Sequence, residues 1–208
     1  MGNIPTLFGW GIKDVDYVVI KYAVIDNKRV PIWRCPYYED WRSMLQRCYS
    51  KITQSNQPAY VGCTVCEEWK YLSNFIKWVD SQPNKDWQNS ALDKDILVVG
   101  NKVYSPDTCA YVTRGLNNFL SLPIKNKVKG LTGVTKTSNI KNPYRVTCCN
   151  PLTGCRESLG MFPTEDAAYL AWKKRKQQIA LVLAEQQPDP RVKNALINLF
   201  SEGDTHAK

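Results

Sequence analysis

Three features of the sequence predict an α+β fold, with helices and antiparallel strands in separate stretches. Apolar residues recur at helical spacing in two segments between residues 36 and 79. An apolar run, a Gly-Asn-Lys turn and a second β-like run follow between residues 91 and 104. Three short β-like runs then precede a long helical segment in the C-terminal part. The chain has 208 residues and 43% hydrophobic content, enough for one large or two small domains with cores. No apolar run approaches the ~20 residues of a bilayer span. The start, MGNIPTLFGWG, lacks the basic beginning and apolar middle of a signal peptide. The expectation is a cytoplasmic protein with no membrane partner.

Residues 1–34 are read as an N-terminal extension holding one β-hairpin, VDYVVIKYAVIDNKRVPIW, that turns at Asp26-Asn27-Lys28. Residues 35–122 form the next module. Trp41, Met44, Leu45, Cys48 and Tyr49 stand at i, i+3, i+4, i+7 and i+8, the stripe of an amphipathic helix. After a short β-like entry at Val61 to Val65, a second helix is predicted through Trp69, Leu72, Phe75, Ile76 and Val79, its aromatics serving as core. Leu92 and Ile96 to Val99 predict a strand, Gly100-Asn101-Lys102 a turn, and Val103-Tyr104 a return strand. A helix is then expected from Thr108 to Leu120. Such a hairpin followed by a helix can hold Asp93 opposite Asn117, close enough for both oxygens to take one hard cation.

Lys125, Lys127 and Lys129 punctuate a basic linker over residues 123–130. Residues 131–186 then give the runs GVTKTS, YRVTCCN and CRESLGMF, separated by turn formers, and a helix capped by Thr164 that extends to about Ala184. Strand parity sets Tyr144, Val146, Cys148 and Leu159 toward a core. It directs Thr135, Thr137, Arg145, Thr147, Arg156 and Ser158 outward, with Lys136 beside them. Residues 187–208 supply a last helix from Asp189-Pro190 through Phe200, and a tail. Residues 1–120 carry 14 Lys or Arg against 12 Asp or Glu, whereas residues 121–208 carry 14 against 7. Most of the net +9 therefore lies in the C-terminal part, which predicts contact with a polyanion.

Eight cysteines without a secretion signal predict reduced thiols. Cys63 and Cys66 form a Cys-x-x-Cys that Cys35 and Cys48 would have to complete for a structural zinc. A strong zinc signal has two such pairs at regular spacing, and this chain has one, so core packing is the favoured reading.

Around Leu92-Asp93-Lys94-Asp95-Ile96 and Ser105-Pro106-Asp107-Thr108, with Asn117 nine residues beyond Thr108, the chain resembles the phage branch of the HNH homing endonucleases. Trp41, Met44, Leu45, Arg47, Cys48 and Tyr49 match the first helix of that family, and Val65, Cys66, Trp69 and Phe75 its second. The resemblance covers roughly residues 35 to 120. It implies a ββα metal site with Asp93 and Asn117 as ligands, and metal-dependent cleavage of DNA. Lys94 stands at the position of the family's general-base His, and Thr108 at that of its middle Asn. The only histidine of the chain is His206, near the end. Asp93, Lys94 and Asp95 are the catalytic candidates, Lys94 as a phosphate ligand and Asp95 as either a substitute base or simply the cap of the turn. The alternative is a protein that kept the fold but lost cleavage, acting as a DNA-binding regulator or against host defence. The sequence names no host partner. Leu159-Gly160-Met161-Phe162 with Glu165, Ala167, Ala168 and Trp172 resembles the Apetala/ethylene-response-factor DNA-binding domain, which implies a sheet laid in the major groove and a helix behind it. Both resemblances imply work in the cytoplasm of an infected or lysogenic bacterium.

Overall fold

A computed structural model describes residues 6–120 and 133–199. Lys125, Lys127, Lys129 and His206 lie outside the described residues. The chain divides into two compact units, Met1–Tyr111 and Val112–Lys208. Among the described residues the architecture is mixed α+β, with six α-helices and several small sheets. No helix among them is long and apolar enough to cross a membrane.

The first unit opens with β1 (Thr6–Leu7) paired antiparallel to β2 (Gly11–Ile12). Gly11 is required there, because a Cβ would strike Leu45 and the ring of Trp41. β3 (Ile20–Ile25) and β4 (Lys28–Arg34) make an antiparallel ribbon with a bulge at Lys21/Tyr22. Asp26 and Asn27 join them in left-handed backbone, φ 49° and 59°, the pair that matches the twist of a two-residue hairpin. Pro36 at the first turn starts α1 (Pro36–Tyr49), which buries Trp41, Met44, Leu45 and Cys48 as its spacing predicts. α2 (Lys51–Asn56) follows, its Thr53 amide donating to Ser50 Oγ at 3.3 Å.

The second predicted helix is two pieces. A 3₁₀ turn at Glu67–Lys70 places Trp69, Tyr71 is extended, and α3 (Leu72–Ser81) begins after it. The break lets Trp69 turn inward, where its carbonyl accepts from Trp41 Nε1 at 2.7 Å. Its ring meets Phe75 edge-on at 5.2 Å and Trp78 at 4.5 Å. Trp41, Trp69, Leu72 and Phe75 are fully buried, so the aromatic residues are core.

The expected hairpin-plus-helix is corrected in three respects. β6 (Ser90–Asp93) ends at Asp93, and Ile96 to Val99 are not a strand, because the Asp93 side chain caps the amides that would continue it. β7 (Val103–Tyr104) does not return along β6 but pairs parallel with β5 (Thr64–Val65). Thr108 starts no helix. Ala110-Tyr111-Val112-Thr113 forms β8 (Ala110–Thr113), the neighbour of β6, and α4 (Arg114–Leu120) begins only then. A run of aromatic and β-branched residues whose first three members are buried favours extended chain over helix. Thr113 caps the helix instead, its Oγ1 accepting from Leu116 N at 3.2 Å.

The second unit contains a three-stranded antiparallel sheet in the order β11-β10-β9, built from β9 (Val134–Lys136), β10 (Tyr144–Asn150) and β11 (Cys155–Phe162). α5 (Glu165–Glu185) packs on it, and α6 (Pro190–Asn198) packs on α5. Thr164 caps α5, as predicted, by accepting from Ala167 N at 3.2 Å, and Asp189 caps α6 by accepting from Arg191 N at 2.8 Å. α6 ends at Asn198, short of the predicted Phe200, which lies outside the described residues.

Candidate DNA-facing sheet and strand-end carboxylate

The loop after β6 is organised by its own polar side chains. Asp93 Oδ1 accepts from the amides of Asp95 at 2.8 Å and Ile96 at 2.7 Å. Burial pushes the Asp93 carboxyl above its ordinary range, and these two amide bonds oppose that shift. Its second oxygen, Oδ2, accepts no hydrogen bond among the described residues. Lys94 is 7% exposed. Its Nζ donates to Asp95 Oδ1 at 2.7 Å, to Asp95 Oδ2 at 2.8 Å and to the Asn101 carbonyl at 2.7 Å. Asn101 returns the contact, its Nδ2 donating to the Lys94 carbonyl at 2.9 Å and to that of Val103 at 2.6 Å. Thr108 Oγ1 donates to the Val103 carbonyl at 2.7 Å, which closes the turn that follows β7.

This arrangement sorts the three candidate catalytic residues. With its Nζ directed at three acceptors, Lys94 is a staple of the loop. Asp95 commits both oxygens to that staple. Asp93 alone keeps an oxygen for a ligand. Asn117 lies on α4, in the second unit, whereas Asp93 ends β6 in the first.

The cysteines form no disulfide among the described residues, and Cys35, Cys48 and Cys63 are buried while Cys66 is half-buried. Burial pushes the Cys48 and Cys109 thiols up to about 12 and raises that of Cys66. Among the described residues no group of three or more His, Cys, Asp or Glu side chains is placed to hold a metal ion.

On the sheet of the second unit the register gathers the predicted outward residues. Arg145 faces Thr135 on β9 and Met161 on β11, Thr147 faces Ser158, and Cys149 faces Arg156. A bulge at Val146/Thr147, opposite Gly160 with φ 107°, keeps Arg156 and Ser158 on that face as the chain passes Leu159. Arg145, Arg156, Ser158 and Thr135 are exposed. Neither arginine belongs to an ion pair among the described residues. Two predicted contacts are placed differently. Lys136 shares the parity of Val134 and pairs with Tyr144, so it is exposed at the sheet edge on the α5 side. Thr137 follows β9, and its hydroxyl closes the loop to Pro143 by donating to that carbonyl at 3.1 Å.

The other face is closed by α5. Val146, Cys148 and Asn150 of β10 are buried there with Ala168, Trp172 and Ile179 of the helix. Glu157, inward on β11, accepts from Arg175 Nε at 2.7 Å and Nη2 at 2.9 Å, and from Asn150 Nδ2 at 2.6 Å. The Arg175 guanidinium, helped by Asn150, holds the Glu157 carboxyl down at about 2. Lys176 is buried with its Nζ 3.6 Å from the Phe119 ring centre, and burial lowers its ammonium to about 8. Sequence reading placed Asn101 only in a turn and assigned no contact to Arg175 or Lys176, because each acts through a contact that periodicity does not mark.

Comparison with protein-family models, with curated proteins and with solved structures gave no match.

Proposed function

We propose that this chain binds duplex DNA with the outer face of the β9–β10–β11 sheet, Arg145 and Arg156 taking phosphates or guanine edges and Thr135, Thr147 and Ser158 supporting them. The observation that carries this reading is a pair of exposed arginines with no carboxylate partner among the described residues, on a face whose reverse is sealed by a helix. An exposed cation with no internal partner is free to exchange solvent counterions for phosphate. The charge excess of residues 121–208, 14 Lys or Arg against 7 acids, has the sign that this ligand needs.

Arg145→Ala combined with Arg156→Ala is expected to weaken duplex binding and to flatten the log-log dependence on salt by about one per lost phosphate contact. Titration of the full chain with duplex DNA across a salt series measures it. An unchanged slope removes the sheet from the interface.

The loop after β6 favours a second reading, hydrolysis of a phosphodiester with magnesium or manganese. Its support is the open Oδ2 of Asp93, with Asn117 as the second ligand that the family resemblance implies. The metal would polarise the phosphate and the attacking water. The chain would hold it through Asp93 and keep Lys94 and Asp95 as the frame of that carboxylate. Without an imidazole at position 94 the reaction lacks a general base, a loss of on the order of 100- to 10,000-fold in rate. Slow nicking of supercoiled DNA with either metal, abolished by Asp93→Ala and by Asn117→Ala, is the expected result of this reading. Retention of DNA without a cut leaves a binding protein that acts by occupying its site.

A further inference from the structure

The β3–β4 ribbon plays no part in the DNA contact proposed above. Every residue of β4 is exposed. So are Tyr22, Val24 and Ile25 of β3, with Val24 at 75%. Among the described residues the two strands pair only with each other, and no third strand covers either edge. They carry four cations, Lys21, Lys28, Arg29 and Arg34, and no carboxylate. Arg34 is bound to Glu39 at 2.9 Å. The remaining three belong to no ion pair among the described residues. Two of the three head groups are held against rings: Lys21 Nζ lies 5.1 Å from the Trp33 ring centre, and the Arg29 guanidinium 4.1 Å from that of Tyr22.

We propose that this ribbon is a second DNA-binding element that enters the major groove of a duplex, with Lys21, Lys28 and Arg29 on its phosphates. The proposal rests on duplex DNA being the ligand of the chain. The shape fits: strands of this length extend about 20 Å at about 3.3 Å per residue, and a two-stranded ribbon is admitted by a groove about 12 Å wide. Exposed Ile25 and Val30, which share one face of the ribbon, suit the thymine methyl groups that line that groove. The cation–aromatic contacts fix the positive groups in advance, which lowers the entropy lost on binding. Charge decides between a polyanion and a second copy of this chain. Apposing two such ribbons brings like charges together with no acid on either strand, whereas DNA supplies the opposite sign along the whole length.

The test uses the full chain and a short duplex of mixed sequence, titrated across a salt series. The neutral triple variant Lys21→Ala, Lys28→Ala, Arg29→Ala is expected to lower the log-log slope by about 2 to 3, at ~0.9 per phosphate contact. The charge-keeping triple Lys21→Arg, Lys28→Arg, Arg29→Lys is expected to hold the slope, which separates charge from folding of the ribbon. If the neutral triple keeps the wild-type slope while Arg145→Ala with Arg156→Ala flattens it, the ribbon is not in the interface and only the sheet is. If the wild type binds no duplex, the DNA reading itself falls with both. Sedimentation adds the competing outcome: a dimer that Ile32→Glu converts to a monomer, with the salt slope intact, overturns the proposal in favour of self-association.

Discussion

Trp41→Ala is expected to cost the first unit about 3–5 kcal/mol, the usual loss when a fully buried Trp is truncated. Few positions combine as many constraints. The ring is 0% exposed, it fills the space beneath Gly11, and its Nε1 donates to the Trp69 carbonyl at 2.7 Å. Truncation therefore opens a cavity and also orphans a buried carbonyl, which by itself costs about 1–3 kcal/mol. Urea unfolding followed by fluorescence and far-UV circular dichroism measures the shift. Trp41→Phe separates the two effects, since it retains most of the volume but not the donor. A loss below about 1 kcal/mol for Trp41→Ala would contradict the placement of this ring at the centre of the aromatic core.

Gly133→Ala is expected to cost the second unit about 2–5 kcal/mol, combining left-handed backbone with overpacking. Its φ is 78°, and a Cβ there would strike the indole of Trp172, itself 3% exposed. Neither neighbour yields cheaply. The Gly133 carbonyl accepts from Thr147 N at 3.0 Å and so fixes where β9 begins, while Trp172 is a buried residue of α5, the helix that packs on the sheet. The change should also weaken duplex binding, because β9 carries Thr135 opposite Arg145. Gly115→Ala on α4 is the control. Its Cβ would meet only Pro151 at an ordinary 3.7 Å, and Ala in a helix is favoured over Gly by up to about 1 kcal/mol. Equal effects of the two substitutions would argue against the packing of Gly133 on Trp172.

Much of the fold was legible from periodicity. The stripe Trp41, Met44, Leu45, Cys48 predicted α1, and the parity of Arg145, Val146, Thr147 and Cys148 predicted which side of β10 is buried. The turn chemistry of Asp26-Asn27 predicted the ribbon, and Thr164 and Asp189 marked the starts of α5 and α6. The region around the candidate carboxylate was read less well, for a physical reason. Ile96 to Val99 have the composition of a strand, but the oxygen of Asp93 captures two amides ahead of them and ends the ladder. Ala110 to Thr113 continue an apolar spacing that a helix also satisfies, and only pairing with β6, a contact remote in sequence, decides for extended chain. Trp78 escaped the predicted stripe of α3 because that stripe was drawn as one helix from Trp69. The break at Tyr71 rotates the face that is buried.

The two short pairings of the first unit, β5 with β7 and β6 with β8, interleave along the chain instead of nesting. A hairpin can zip outward from its turn, but crossed pairs cannot. Thr64 must wait for Val103, and the strand at Ser90–Asp93, made in between, must wait for Ala110–Thr113. Each closure spans a long stretch of chain whose entropy is lost before any contact repays it. On a ribosome, then, α1 and α3 emerge with their aromatic faces made but unlatched. The latch is the last strand of the set, so these strand pairings close only once Ala110–Thr113 is free to join them.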